Sequence, residues 1–396
     1  MGHTSRISTL KLLVLDSSHL GQFVKDLNSR RADERRRASD FQGLLDAGNW
    51  ILALSYHHLA EIYTHADAAV RGERLAYIRS RPVVAYVRAG RGPEAGFGSI
   101  VDVLGTEVAA ALATGFSETL AIADAARPDV FAFASGRDVM RPLDEVGPYL
   151  GENMRRQRER TQRTVAISQA DVEKAPNVTL RELFRLPLRT PEDHEAFLRR
   201  FGARMTSEVT ERGDPGIENP AEVAAWFTAT VREAMRQAQE SGVHPIVYLL
   251  GAMGLRPEEL DENATIEDLQ RIAFHHHRAS IAARGTGVDP TVVRERVRAE
   301  RLPSAVIGDA MDRFGQQPRR RKGSVMNDVH LVSLSPYAGL TSVDKGTFAN
   351  VERASARSPV FKSIIGAVAR ARTYADLMPH LSTDPGRDMG GPASRE

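Results

Sequence analysis

The chain contains no cysteine, which removes disulfides, thiolate nucleophiles and cysteine-held zinc or iron–sulfur centres together. Any bound metal must be met by oxygen or imidazole. Lysine is nearly as scarce, with six residues against forty-seven arginines. Long hydrophobic runs are missing as well. The first apolar run, in LKLLVLD, is too brief for a signal-peptide core or a membrane span, and the expectation is a soluble, cytoplasmic protein with no membrane contact. Neither sign of charge dominates: 53 basic and 51 acidic residues leave a formal net charge of +2. No global field therefore marks a nucleic-acid binder, and only local patches carry that argument.

Several catalytic signatures are absent too. No Gly-x-x-x-x-Gly-Lys-Ser/Thr loop occurs, and Gly90, Gly92 and Gly96 have the wrong spacing for a dinucleotide fingerprint. There is no Gly-x-Ser-x-Gly elbow. Position 18, where a haloacid-dehalogenase-type phosphatase wants a second acid after Asp16, holds serine. His57 and His58 precede Glu61 without forming a HExxH helix, and His330 lies two residues after Asp328, so zinc-protease spacing fails. His19 and His330 remain candidates to assist near a site. The tract His275-His276-His277 points three ways on a helix and reads as structural.

What is present is ample material for a core. With 396 residues and 42% hydrophobic content, the chain suits one core with a large insertion, or two to three units. The apolar run over residues 12–15 ends at Asp16, and Ser17 and Ser18 stand ready to cap a helix through Leu20, Phe23 and Val24. A charged stretch over 30–37 leads to Phe41, Leu44 and Leu45, and Gly48-Asn49 ends that helix before the run 50–54. Leu59, Ile62, Ala66 and Val70 form a helical stripe, and Pro82 opens the run 83–87. Three strand–helix alternations predict a parallel sheet. From about 89 to 302 the texture becomes helical, with helices expected over 107–123, 221–238 and 266–283 and a strand over 130–133. After Pro303 the α/β texture returns, with a helix through Val325, Val329 and Val332, a strand over 340–343, and an apolar helix over 361–371. The tail 383–396 reads as disordered.

Four acids stand out by placement: Asp16, Glu61, Asp328 and Asp344 each sit at or just beyond a short apolar run. A carboxylate at the C-terminal end of a parallel strand faces the crevice where open α/β sheets bind ligands. Asp328 is the most telling. It lies three residues after Val325 and four before Val332, within the apolar stripe of its helix, where an unpaired carboxylate is costly. An arginine partner from the 318–323 loop and a bound cation explain that placement equally well.

The segments LLVLDSSHL, ILALSYHHLAEI, MNDVHLVSL and GLTSVDKGTF, in that order, resemble the PIN-domain nuclease family. Asp16 followed by Ser17 matches the family's first acid, and Glu61 its second, on the helix after strand two. Asp328 matches the third, ahead of the Ser-x-Asp ending Ser342-Val343-Asp344. The resemblance covers roughly residues 9–90 and 304–382. It implies a three-layer PIN-like sheet flanked by helices, a discontinuous nuclease core interrupted by a mostly helical insertion over 91–303. It also implies Mg²⁺ or Mn²⁺ and metal-dependent hydrolysis of phosphodiesters. On that reading Asp16, Asp328 and Asp344 are principal ligands, and Glu61 is a ligand or a water-mediated anchor. Ser17, Ser342, Asn327 and Lys345 support them, and Arg319, Arg320, Arg321 and Lys322 meet phosphates. The mixed-charge stretch 155–160 extends the binding face or is simply an exposed helix.

The expected substrate is RNA ahead of DNA. A structure-selective or single-strand DNA nuclease of the same fold and a non-catalytic scaffold are the alternatives. The insertion is left to select substrate, or to bind a protein partner or a second copy. Members of the family are small, whereas more than two hundred residues separate strand three from the third acid here.

Overall fold

The computed structural model describes residues 11–90, 96–115, 117–168, 178–185, 190–252, 254–316 and 324–382. At its centre is a six-stranded sheet in the order β4-β3-β2-β1-β5-β6. Five strands are parallel: β1 (Lys11–Val14), β2 (Trp50–Leu54), β3 (Val84–Val87), β5 (Leu340–Val343) and β6 (Val368–Arg370). The edge strand β4 (Phe131–Ala134) runs antiparallel to β3.

The run 12–15 is apolar without interruption because both faces of the sheet are covered. Leu13 and Leu15 pack on one face with Phe23 and Phe41, carried by α1 (Ser17–Leu27) and α2 (Ala32–Ala47). Leu12 and Val14 pack on the other with Ile100, Val103 and Ala126. Two further helices, α3 (Tyr56–Tyr63) and α4 (Ala68–Ser80), complete the first half. They were expected as one stripe through Ala66 and Val70, but the chain breaks between them, where Asp67 caps α4 through the N–H groups of Ala69 and Val70.

The stretch assigned to the insertion joins the sheet layer at its start. α5 (Ile100–Thr114) and α6 (Thr119–Val130) cover one face and lead into β4, so the sheet does not finish near residue 90. The single helix expected over 107–123 is these two, divided at Gly115, whose φ of 69° closes α5 with a left-handed cap. Beyond β4 the insertion is helical: α7 (Gly136–Ser168), α8 (Leu180–Phe184), α9 (Pro191–Arg212), α10 (Pro220–Glu240), α11 (Pro245–Ala252), α12 (Ile266–Thr286) and α13 (Pro290–Arg296). Helices α10 and α12 contain the expected spans 221–238 and 266–283. On α7, Arg155 and Arg156 pair with Glu152, and Arg155 also with Glu159, the pattern of a solvated helix face.

The last segment comprises α14 (Pro303–Phe314), α15 (Ser324–Val332), α16 (Lys345–Arg357), α17 (Pro359–Ile364) and α18 (Met378–Ser382) around β5 and β6. The expected apolar helix over 361–371 is corrected here: α17 ends at Ile364 and the chain enters β6. A side chain at Gly366 would place its Cβ 2.0 Å from the Ser335 carbonyl oxygen, so the backbone passes too closely there for most residues. The tail 383–396, read as disordered, lies outside the described residues.

A buried polar cluster fastens insertion to core. Glu107 of α5 is wholly buried and accepts hydrogen bonds from the Ser304 N–H (3.0 Å), the Ser304 hydroxyl (2.6 Å) and the Tyr337 hydroxyl (2.7 Å). Burial raises its pKa to about 7, against the pull of those donors and of Arg278. No single helix among the described residues is long and apolar enough to cross a membrane.

Candidate functional site

Asp16 and Asp344 leave the ends of adjacent strands and begin the helices that follow. Asp16 caps α1, accepting from the Ser18 N–H at 2.7 Å and the Ser18 hydroxyl at 2.5 Å. The cap is thus the acid itself rather than Ser17 or Ser18. Asp344 caps α16 by accepting from the Thr347 N–H at 2.6 Å. Each cap commits one oxygen of the carboxylate and fixes the side chain over the C-terminal edge of the sheet. Lys345, on the other hand, is exposed at the first position of α16.

The two strand ends are tied together across the fold. The Ser342 hydroxyl, fully buried, accepts from the Asp16 N–H at 3.0 Å and lies 3.0 Å from His19 Nδ1. His19 also bonds the Ala371 carbonyl, which makes its other nitrogen the donor and leaves Nδ1 to accept the Ser342 proton. Burial lowers the pKa of this imidazole, against the charges of Asp16, Asp376 and Asp344. Ser342 therefore acts beneath the acids, as a brace for the Asp16 backbone.

Glu61 and Asp328 arrive on helices from opposite ends of the chain. α15 precedes β5 in the chain and packs against it. Asn327 donates to Glu61 at 3.0 Å, joining α15 to α3. A second contact lies one turn along: the rings of His57 and His330 pack in a tilted arrangement with centroids 4.4 Å apart and planes 35° apart. Below these two contacts is a cleft of about 30 Å³ lined by Asp16, Ser17, Ser55, His57, His58, Glu61, Asn327, Asp328, His330 and Leu331. That is room for an ion or one to two waters.

The field in the cleft is strongly negative. Asp328 is pushed up from an ordinary 3.8 to about 7, first by its burial and then by the charges of Asp344, Asp16 and Glu61, against a hydrogen bond from Thr347. The charges of the other three acids singled out in the sequence all reach Asp328, while Asp344 is exposed and stands outside the cleft lining. Among the described residues, no three His, Asp or Glu side chains are arranged as they stand to close on one ion. The two helix caps each commit a carboxylate oxygen, Asp16 to the Ser18 N–H and Asp344 to the Thr347 N–H. Hard oxygens are the donor type that a divalent cation takes.

The three histidines that line the cleft divide cleanly. His58 is satisfied at both nitrogens: Nδ1 accepts from the Ser55 N–H at 3.0 Å and Nε2 donates to the Leu15 carbonyl at 2.8 Å. It pins β2 to β1. His57 and His330 differ from it. Burial lowers the pKa of His57 to about 4, with His58 adding to the effect, and burial with His57 and Arg278 holds His330 well below its usual value. In the tract 275–277, His275 is buried, His276 approaches the Gly254 carbonyl at 3.5 Å, and His277 is exposed, so the three diverge as expected.

Arg319, Arg320, Arg321 and Lys322, expected to meet phosphates, lie outside the described residues. Sequence reading passed over the Ser342–His19 brace and the buried Glu107. The first had a signal, since Ser342 falls in an apolar strand where a hydroxyl needs a partner. Glu107 had none.

No protein-family model, no curated protein and no solved structure matches this chain. The site rests on its own geometry.

Proposed function

We propose that the protein is a divalent-cation-dependent nuclease of PIN-like fold, hydrolysing phosphodiester bonds in RNA. One observation carries the reading: Asp16, Glu61 and Asp328, separated by up to 312 positions in the chain, line one cleft beside a parallel sheet, and the charge of Asp344 reaches it. Assembling that much like charge is unfavourable unless a cation offsets it.

In this reading Asp16, Asp328 and Asp344 hold Mg²⁺ or Mn²⁺, with Glu61 as ligand or water-mediated anchor. The ion, when bound, polarises the phosphoryl oxygen and makes its bound water a stronger acid. The chain's own residues supply the rest. Asn327 fixes the Glu61 carboxylate by donating to it. Ser342 and His19 hold the Asp16 backbone against β5, so the first and last acids keep a constant separation. The Thr347 N–H sets the Asp344 rotamer. Arg319 to Lys322 precede α15 in sequence and supply positive charge for a phosphate backbone.

The test is incubation of the full chain with RNA, single-stranded DNA and duplex DNA under Mn²⁺, Mg²⁺ or EDTA, beside Asp16→Asn and Asp344→Asn. Cation-dependent cleavage of RNA, lost in both variants, is expected. Cleavage of DNA alone replaces the substrate assignment. Equal cleavage by variants and wild type overturns the site, and binding without cleavage under any cation leaves the scaffold reading in its place.

A further inference from the structure

The long helix α7 carries two different faces. Met140, Leu143, Leu150 and Met154 turn inward to the core, and the opposite side is exposed. On that side Tyr149, Asn153, Arg156, Arg160 and Arg163 recur at alternating spacings of four and three residues, all of them exposed. Such spacing aligns them in one stripe along the helix, with a length of about 21 Å. Between residues 152 and 163 the sequence holds five arginines against two glutamates, so the stripe lies in a segment of net positive charge.

Aromatic rings stand at both ends of the stripe. Tyr149 is 76% exposed. At the far end Arg163 approaches Glu222 at 4.0 Å, which brings the first turn of α10 against the stripe. Trp226 lies one turn on from Glu222, on the same side of α10, and is 54% exposed. Two open ring faces therefore bracket three guanidinium groups. The ion pairs Arg156–Glu152 and Arg163–Glu222 are themselves exposed, and pairs of that kind are weak enough for phosphate to displace the carboxylate at little cost.

The stripe also leads to the cleft. Gly147 and Gly151 pack against Tyr63 at the end of α3, whereas Gln157 accepts a hydrogen bond from the Tyr56 hydroxyl at its start (3.2 Å), so α7 runs antiparallel to α3. Residues 158–168 continue beyond the start of α3, the end at which Ser55 and His57 line the cleft.

We propose that this face of α7, together with Trp226, binds a single strand of RNA and leads it toward the cleft. The choice of RNA rests on the nuclease reading above, while the surface itself recognises phosphates and base faces. Arginine meets phosphate with a planar fork, and unpaired bases stack on open rings. An acidic peptide would engage the arginines and leave both rings in water.

The test is fluorescence anisotropy of a short labelled single-stranded RNA with the full chain in EDTA, where neither cleavage nor a cation contributes. Tyr149→Ala and Trp226→Ala should each weaken binding about 5- to 150-fold. The combined Arg156→Gln, Arg160→Gln and Arg163→Gln variant should lower the slope of log affinity against log salt by about 2. All five side chains are exposed, and unchanged melting temperatures report intact folds. No binding by wild type overturns the inference, as does binding that every variant retains. Duplex RNA bound as tightly as the single strand overturns it too, because paired bases offer no faces to the rings. Single-stranded DNA bound in preference overturns the choice of RNA. Self-association that the two alanine substitutions abolish, without RNA binding, gives the face to a second copy and overturns the inference. RNA held through the stripe with no cleavage under any cation upholds it while the nuclease reading falls, and cleavage with binding unaffected in the variants does the reverse.

Discussion

Asp328→Asn should make the cation-free protein more stable at neutral and higher pH, and not near pH 4. The folded state holds the Asp328 proton up to about pH 7, against an ordinary 3.8. The folded chain therefore binds more protons than the unfolded one between those values, and stability falls as pH rises through that window. Below it the contribution is fully present, and above about pH 7 it is lost. The difference is about three tenfold steps in proton affinity at about 1.4 kcal/mol each, or roughly 4 kcal/mol. Partial access of water to the cleft reduces this to about 2–4 kcal/mol. Asparagine carries no charge at any pH, so in EDTA the variant should match wild type near pH 4 and exceed it by that margin near pH 8. Urea unfolding at a series of pH values measures this, with groups common to both proteins cancelling in the difference. A saturating cation should reverse the order, because it stabilises only the chain that binds it. A difference independent of pH would refute the argument that the other three acids press on Asp328.

Four further outcomes follow from the packing. Asn327→Ala releases Glu61 without altering any acid and should lower cation affinity about tenfold, measured by dialysis, with little change in melting temperature. Glu107→Ala strips the partners from the Ser304 N–H and the Tyr337 hydroxyl and should cost about 2–4 kcal/mol in denaturant unfolding. The milder Glu107→Gln should instead flatten the stability loss between about pH 5 and 7 that a buried carboxyl raised to about 7 imposes. Gly136→Ala places a Cβ 1.8 Å from the Ile78 carbonyl oxygen and should destabilise by about 2 kcal/mol or more, with limited proteolysis showing the junction of β4 and α7 opening first.

The strands around the site were legible because they are buried on both faces and read as unbroken apolar runs, as at residues 12–15 and 50–54. Asp16 and Asp344 were legible because each follows such a run, and Asp328 because it sits within the apolar stripe of its helix. β6 was not legible: three residues following a short apolar helix carry no period, and only the close pass of Gly366 under Ser335 explains why the helix stops. The division of α5 from α6 turned on one glycine in an otherwise helical stretch. Glu107 was opaque for a different reason. Its burial depends on Ser304 and Tyr337, about two hundred residues away, and no local pattern predicts a partner at that distance. The same holds for the ring contact between His57 and His330, each unremarkable in its own helix.

The position of β1 has a consequence for how the protein is made. It is an interior strand, paired on one side with β2 and on the other with β5, and β5 is encoded more than 320 residues later. A ribosome adding about 5–20 residues per second needs on the order of 15–65 seconds to reach it. During that interval one hydrogen-bonding edge of β1 stays unpaired and the first two acids lack the other two. A nascent chain surrounded by messenger and ribosomal RNA thus carries half a cleft, and the activity proposed for it arises only when synthesis is nearly complete.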